Sequence, residues 1–126
     1  MMKNQKKSIL YVDDEEINLR LFYNTFRREY TIYLALSAKD ALNIIGQKKI
    51  DLVITDQRMP NMTGVELLAE VQEIFPEIPP NRLIISGYSD AEDIDLAFKN
   101  YHLYKFIAKP WHQDELQAII KQALEQ

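Results

Sequence analysis

The chain contains no cysteine, which excludes disulfide bridges, thiol nucleophiles and cysteine-ligated zinc outright. Its two histidines, His102 and His112, both fall late in the sequence with no second cluster of ligands around them. A histidine-based metal site therefore has nothing to build on. Only three glycines occur, Gly46, Gly64 and Gly87, too few and too scattered for a G-x-G-x-x-G or Walker loop. Lys3, Lys6 and Lys7 are followed by only the apolar run Ile9 to Val12 before two aspartates. That run is too short for a signal peptide, and nothing later approaches a membrane span. With a formal net charge of −4, no global attraction to DNA or anionic lipid is expected.

The 126 residues read as one domain over 1–126, since a second independent core would not fit in that length. Hydrophobic residues make up 47% and charged residues 27%, the balance of a soluble globular protein with a core of its own. Five short apolar runs, Ile9–Val12, Thr31–Leu36, Leu52–Thr55, Leu83–Ser86 and Phe106–Ala108, alternate with five amphipathic stretches. Most of the runs are near-continuous in apolar character, as expected of strands covered on both faces.

Between the runs the spacing turns helical. Ile17, Leu21, Phe22 and Phe26 line one face of a first helix. A second carries Ala38, Ala41, Leu42 and Ile45, with Ser37 as its N-cap and Gly46 placed to end it in a left-handed C-cap. Leu67, Leu68, Val71 and Phe75 mark a third, ended by Pro76. Ile94, Ala97, Phe98 and Tyr101 mark a fourth, and Leu116, Ile119, Ile120, Ala123 and Leu124 a fifth. The pattern is α/β, (βα)₅, with right-handed crossovers placing helices on both faces of a doubly wound, five-stranded parallel sheet.

In such sheets ligands bind beyond the carboxyl ends of the strands. Those ends carry Asp13-Asp14, Asp56, Ser86-Gly87 and Lys109-Pro110. Three carboxylates, a hydroxyl and an ammonium therefore converge on one rim. Two like charges about 4 Å apart repel by roughly 4 kcal/mol at an effective dielectric near 20, so either a proton or a cation must sit among them. Oxygen-only ligands suit Mg²⁺, which tolerates an incomplete protein cage. A cation beside a carboxylate is also what phosphoryl transfer needs, with Lys109 and Ser86 able to meet further phosphoryl oxygens. Gly87, without a side chain, leaves room for the incoming group.

The segments Val12-Asp13-Asp14, Asp56 through Gly64, Ile85-Ser86-Gly87 and Phe106-Ile107-Ala108-Lys109-Pro110 resemble the response-regulator receiver family over about residues 7 to 125. Each motif is weak alone; four in order within a (βα)₅ pattern are specific. The resemblance implies a flavodoxin-like fold with strand order 2-1-3-4-5. It implies transfer of a phosphoryl group from a histidine kinase or phosphotransfer protein to Asp56 in the cytoplasm. By position, Asp14, Asp56 and the Arg58 backbone carbonyl would ligate Mg²⁺ directly, and Asp13 through water. Lys109 and Ser86 match the phosphate-contacting pair, and Phe106 the aromatic switch residue. A cis Lys109–Pro110 bond is implied as well. The output surface would be the face of the fourth helix, fifth strand and fifth helix, which would also support a homodimer.

Alternatives separate on single residues. A phosphatase with an aspartate nucleophile needs a second carboxylate two residues on, and that position is Arg58. A pseudo-receiver that binds partners without phosphorylation would be expected to lack a carboxylate or the lysine, and all are present. Arg58 and Tyr88 flank the site as bulky groups, which predicts a slow loss of phosphate. Tyr101, Tyr104 and Trp111 suggest an aromatic patch near the output face, and His112 an exposed helix start. The wording around Lys109 resembles receivers fused to cyclic-dinucleotide phosphodiesterase or transcriptional output domains.

Overall fold

A computed structural model describes residues 6–87 and 91–125. Five strands, β1 (Ser8–Val12), β2 (Thr31–Ala35), β3 (Leu52–Thr55), β4 (Arg82–Ser86) and β5 (Leu103–Ala108), form one parallel sheet in the order β2-β1-β3-β4-β5. The helices between them are α1 (Glu16–Phe26), α2 (Ala38–Ile45), α3 (Gly64–Ile74), α4 (Ala91–Asn100) and α5 (Gln113–Glu125). Strands β1, β3 and β4 are buried at every residue, which is why their sequences lack polar alternation.

The sheet separates two cores. Leu10, Val12, Val53 and Ile84 face α2, α3 and α4 on one side. Ile9, Tyr11, Ile54, Ile85 and Ile107 face α1 and α5 on the other. Adjacent residues of one strand thus feed opposite cores, as the period of two requires.

Local signals place several boundaries. Ser37 Oγ accepts the Asp40 N–H at 3.1 Å, so it caps α2 as its sequence position suggests. Thr63 and Glu66 form a reciprocal capping box at the start of α3, with contacts of 3.1 and 2.8 Å. α3 stops at Ile74, two residues before Pro76, because the residue preceding proline is driven out of the helical region.

Five sequence expectations are corrected. The buried face of α1 is Leu19, Phe22 and Phe26, whereas Ile17 and Leu21 point outward at 81% and 53% exposure. Gly46 has φ −69°, so α2 ends without a left-handed glycine. Phe98 is exposed and not part of the α4 seam, which Ile94 and Ala97 supply. The three aromatics near β5 do not form one patch: Trp111 and Tyr104 pack on the α1–α5 core and Tyr101 on the opposite one. β5 is also longer than its apolar run, beginning at Leu103. Tyr104 and Lys105, half-buried and exposed at the sheet edge, hide that start from a hydrophobicity pattern.

Candidate functional site

Strand register brings the acidic residues together. Val12 pairs with Thr55 across β1 and β3, so Asp13 and Asp56, each one residue further on, emerge side by side. The Asp56 N–H donates to the Val12 carbonyl at 2.8 Å and fixes that level. On the far side Ser86 pairs with Ala108, and the Lys109 N–H donates to the Ser86 carbonyl at 3.0 Å. The Lys109–Pro110 bond is cis, as the resemblance implies. From there Lys109 Nζ reaches Asp13 Oδ2 at 3.0 Å and Asp56 Oδ2 at 3.2 Å. One ammonium therefore bridges two buried carboxylates from strands that are not its neighbours.

The three acids differ in environment. Asp13 is fully buried and Asp56 is 6% exposed, while Asp14 faces solvent. Asp13 Oδ1 accepts the Glu15 N–H at 3.0 Å, and its Oδ2 accepts the Tyr11 hydroxyl at 2.9 Å. Asp56 Oδ1 accepts the Gln57 N–H at 2.7 Å. Among the described residues no lysine pairs with Asp14: desolvation, followed by the charges of Asp13 and Asp56, raises its pKa. Burial works against the charge on Lys109, but the contacts with Asp13 and Asp56 outweigh it and raise its pKa. The Tyr11 hydroxyl is pushed well above its ordinary range by burial and by Asp13, so it stays a donor.

A carboxylate oxygen from each of Asp13, Asp14 and Asp56 can be chosen such that all three lie within 4.8 Å of one another. With one ammonium against three carboxylates, the cluster carries excess negative charge. Its donors are all hard oxygens, the set that suits a small divalent cation and not a soft metal.

The loop after Asp56 is held by residues whose importance no local pattern shows. A Cβ on Gly64 would lie 2.3 Å from the Asp56 carbonyl oxygen, so only glycine lets α3 begin against the site. Gln57 is buried, and its Oε1 accepts the Val65 N–H at 2.9 Å. Gly87 is less constrained, since a Cβ there would meet only Lys109 Cβ at 4.0 Å. Ser86 is buried at the rim, and Phe106 is half-buried against the α2–α3–α4 core. The Arg58 side chain is exposed, and so is His112, as expected. Tyr88, expected to flank the site, lies outside the described residues.

Residues 9–121 match the response regulator receiver domain. The chain belongs to that family. The receiver is 37% identical over 124 residues to the hydrogenase transcriptional regulatory protein HoxA of Cupriavidus necator, covering 98% of this chain and 25% of the relative. It is 32% identical to the transcriptional regulatory protein GlrR of Escherichia coli K12, covering 99% of this chain and 28% of that one. The receiver thus spans about a quarter of the length of the curated relatives it matches. Among solved structures it is similar to the signal receiver domain of an HD domain-containing protein from Pseudomonas fluorescens Pf-5. That pair has a TM-score of 0.89 and 31% identity, with 96% of each chain covered. A CheY-like receiver from Methanospirillum hungatei JF-1 follows at TM-score 0.88 and 27% identity, covering 96% of this chain and 95% of that one. The receiver therefore has the flavodoxin-like, CheY-like fold, and its family serves as a signalling switch in two-component systems. Among the described residues, no helix is long and apolar enough to cross a membrane.

Proposed function

We propose that this receiver takes a phosphoryl group on Asp56 from the phosphohistidine of a histidine kinase or phosphotransfer protein, in the cytoplasm and with Mg²⁺ bound beside it. The observation that carries the reading is the three-carboxylate cluster with Lys109 bridging Asp13 and Asp56. The donor set fits Mg²⁺: Asp14, Asp56 and the Arg58 backbone carbonyl would hold it, with Asp13 acting through water. When bound, the cation takes up negative charge on the phosphoryl oxygens.

The chain's own groups do the positioning. In the transfer, an Asp56 carboxylate oxygen bonds to phosphorus as the P–N bond to the donor imidazole breaks. The imidazole nitrogen keeps the electron pair and is protonated from solvent. Lys109, already 3.2 Å from Asp56, pairs with a phosphoryl oxygen once the group arrives. Ser86 turns to another, and Phe106 moves into the space this opens, which changes the α4–β5–α5 face. Such a switch selects between two arrangements and turns over no external substrate.

The partner that delivers the phosphoryl group must reach this rim. Ile17 and Leu21 lie exposed along α1, and Leu21 also lines a surface cavity of about 290 Å³ with Asn18, Lys109, Pro110 and Trp111. We assign that apolar strip to docking of the donor. The named relatives support a fused transcriptional output domain, and the α4–β5–α5 face is the surface for that domain or for a second copy of the receiver.

The test is intact mass after incubation with acetyl phosphate, with and without Mg²⁺, beside Asp56→Asn. The expected result is one phosphoryl group gained, requiring Mg²⁺ and absent from the variant. No gain under any condition would replace this reading with that of a pseudo-receiver recognised in its unmodified form.

A further inference from the structure

β1 is buried along its length, and Ile9, Leu10, Tyr11 and Val12 are all fully enclosed. Three of these side chains are aliphatic. Tyr11 alone carries a hydroxyl into the interior, where that group is costly unless a partner receives it. The partner is Asp13 Oδ2, at 2.9 Å. The same oxygen accepts Lys109 Nζ at 3.0 Å, while Oδ1 accepts the Glu15 N–H at 3.0 Å. A carboxylate offers about four lone-pair positions. Tyr11 and Lys109 occupy Oδ2, and the backbone takes one position on Oδ1, so the remaining capacity lies on Oδ1.

The phenol is itself held. Its ring stacks on Phe22 with centroids 4.4 Å apart and planes at 25°. Phe22 meets Phe26 at 4.8 Å and Trp111 at 6.4 Å. Swinging the hydroxyl off Asp13 would therefore disturb the packing of α1 and of the segment after β5.

We propose that Tyr11 is a positioning residue for the cation site, its hydroxyl locking the Asp13 carboxylate so that Oδ1 is the oxygen presented to the cation or its water. The proposal rests on the Mg²⁺ reading given above. Hydrogen-bond partners of ligating groups act in this way generally, by fixing the orientation of the ligand. A phenylalanine would fill the same volume and keep the Phe22 stack, so a role confined to packing predicts that the hydroxyl is dispensable.

The experiment compares whole wild-type receiver with Tyr11→Phe, using Mn²⁺ as an EPR-visible probe for the Mg²⁺ site, and repeats the pair in an Asp13→Asn background. The expected result is a rise in Mn²⁺ Kd of about tenfold for Tyr11→Phe, the low end for loss of a ligand's supporting hydrogen bond. Little further loss is expected when Asp13 is already Asn. Equal affinity in wild type and Tyr11→Phe would overturn the positioning role while leaving the metal site standing. An undiminished effect of Tyr11→Phe in the Asp13→Asn background would also overturn it, because the hydroxyl would then not act through Asp13. A wild type that takes up no Mn²⁺ would sink the metal reading and this inference together. Should Tyr11→Phe fail to fold, the ¹³Cζ resonance of Tyr11 in wild type answers instead. A shift that saturates with Mg²⁺ supports the proposal, and a resonance that stays put overturns it.

Discussion

Arg82 opens β4 at the end of the sheet opposite the acidic cluster and is fully buried. It donates to Gln72 Oε1 at 2.9 Å, the Ile78 carbonyl at 2.9 Å and the Tyr101 carbonyl at 3.3 Å, while its Nε has no partner. Among the described residues no carboxylate forms an ion pair with it. Burial lowers its pKa, although guanidinium remains charged at any working pH. The residue ties α3, the loop before β4 and the end of α4 to one strand, and it does so with a charge that only neutral dipoles compensate. Arg82→Ala should cost about 3 kcal/mol or more, because it opens a cavity and orphans three acceptors. Arg82→Met fills most of the volume but leaves the same three acceptors without a donor, so it should cost about 1–2 kcal/mol, less than the alanine. Urea unfolding of both variants checks this; equal losses would show that the hydrogen bonds and not the volume carry the effect. The apolar run that signals β4 starts at Leu83, and nothing near Arg82 in sequence indicates that its side chain turns inward.

At the scale of elements, α1 shows how a helix can be recognised while its orientation is not. Ile17 and Leu21 are four apart, and Leu19, Phe22 and Phe26 make a second stripe at spacings of three and four, so two apolar faces compete on one helix. Phe22 and Phe26 decide the contest, since both reach Trp111 and Phe22 also stacks on Tyr11. Burying these rings removes more apolar surface than burying Ile17 and Leu21 would. The aliphatic pair is left outside, next to the rim of the site. Ile17→Glu with Leu21→Glu should therefore leave the melting temperature nearly unchanged. It should slow transfer from the partner kinase by about tenfold, as for loss of apolar contacts central to an interface, with labelling by acetyl phosphate unaffected. A double variant phosphorylated by the kinase at the wild-type rate would remove α1 from the docking surface. On the opposite core, Leu96 and Phe98 of α4 are exposed in the same way, beside half-buried Tyr101. They give the proposed output face its apolar character.

For the whole molecule, the acidic rim sets a cost that depends on pH and on cation. The pKa of Asp14 is raised in the fold by desolvation and by Asp13 and Asp56. The folded chain therefore holds that proton more tightly than the unfolded chain does. The contribution of Asp14 to stability without cation is greatest below the ordinary carboxylate range and falls as pH rises through the raised value, so at neutral pH its full repulsion is present. In EDTA at neutral pH, Asp14→Asn should melt about 2 °C above wild type. Mg²⁺ at ten times its Kd should add about 1.4 kcal/mol to wild type, a rise of about 5 °C for a domain of this size, and much less to the variant. Differential scanning calorimetry with and without Mg²⁺ reads both. An Asp14→Asn protein that melts lower in EDTA would mean the carboxylate is not strained by its neighbours. Lys109, whose pKa is also raised, has the same sign in a different pH window: its bridge is fully present below the ordinary lysine range and is lost only as pH climbs through the raised value.

The alternation of five buried strands with five helices, and the placing of Asp13, Asp56, Ser86 and Lys109 at strand ends, were legible in the sequence by itself. Both depend on periodicity and order along the chain, which local composition records. Ser37 as a cap and Pro76 as a stop were legible for the same reason, since their effects reach only a few residues. Tertiary structure alone decided which face of α1 turns inward, that Gly46 needs no left-handed turn, that Arg82 is enclosed and that Tyr11 bonds Asp13. Most of these depend on which distant residue arrives alongside; Tyr11 and Asp13 are only two apart, but their bond needs the α1 packing that holds the Tyr11 ring against Phe22. The physical reason is the sheet register: it sets Lys109 against Asp13 and Asp56 and, with the packing of α1, places Phe22 against Tyr11, and no window of neighbouring residues contains those pairs.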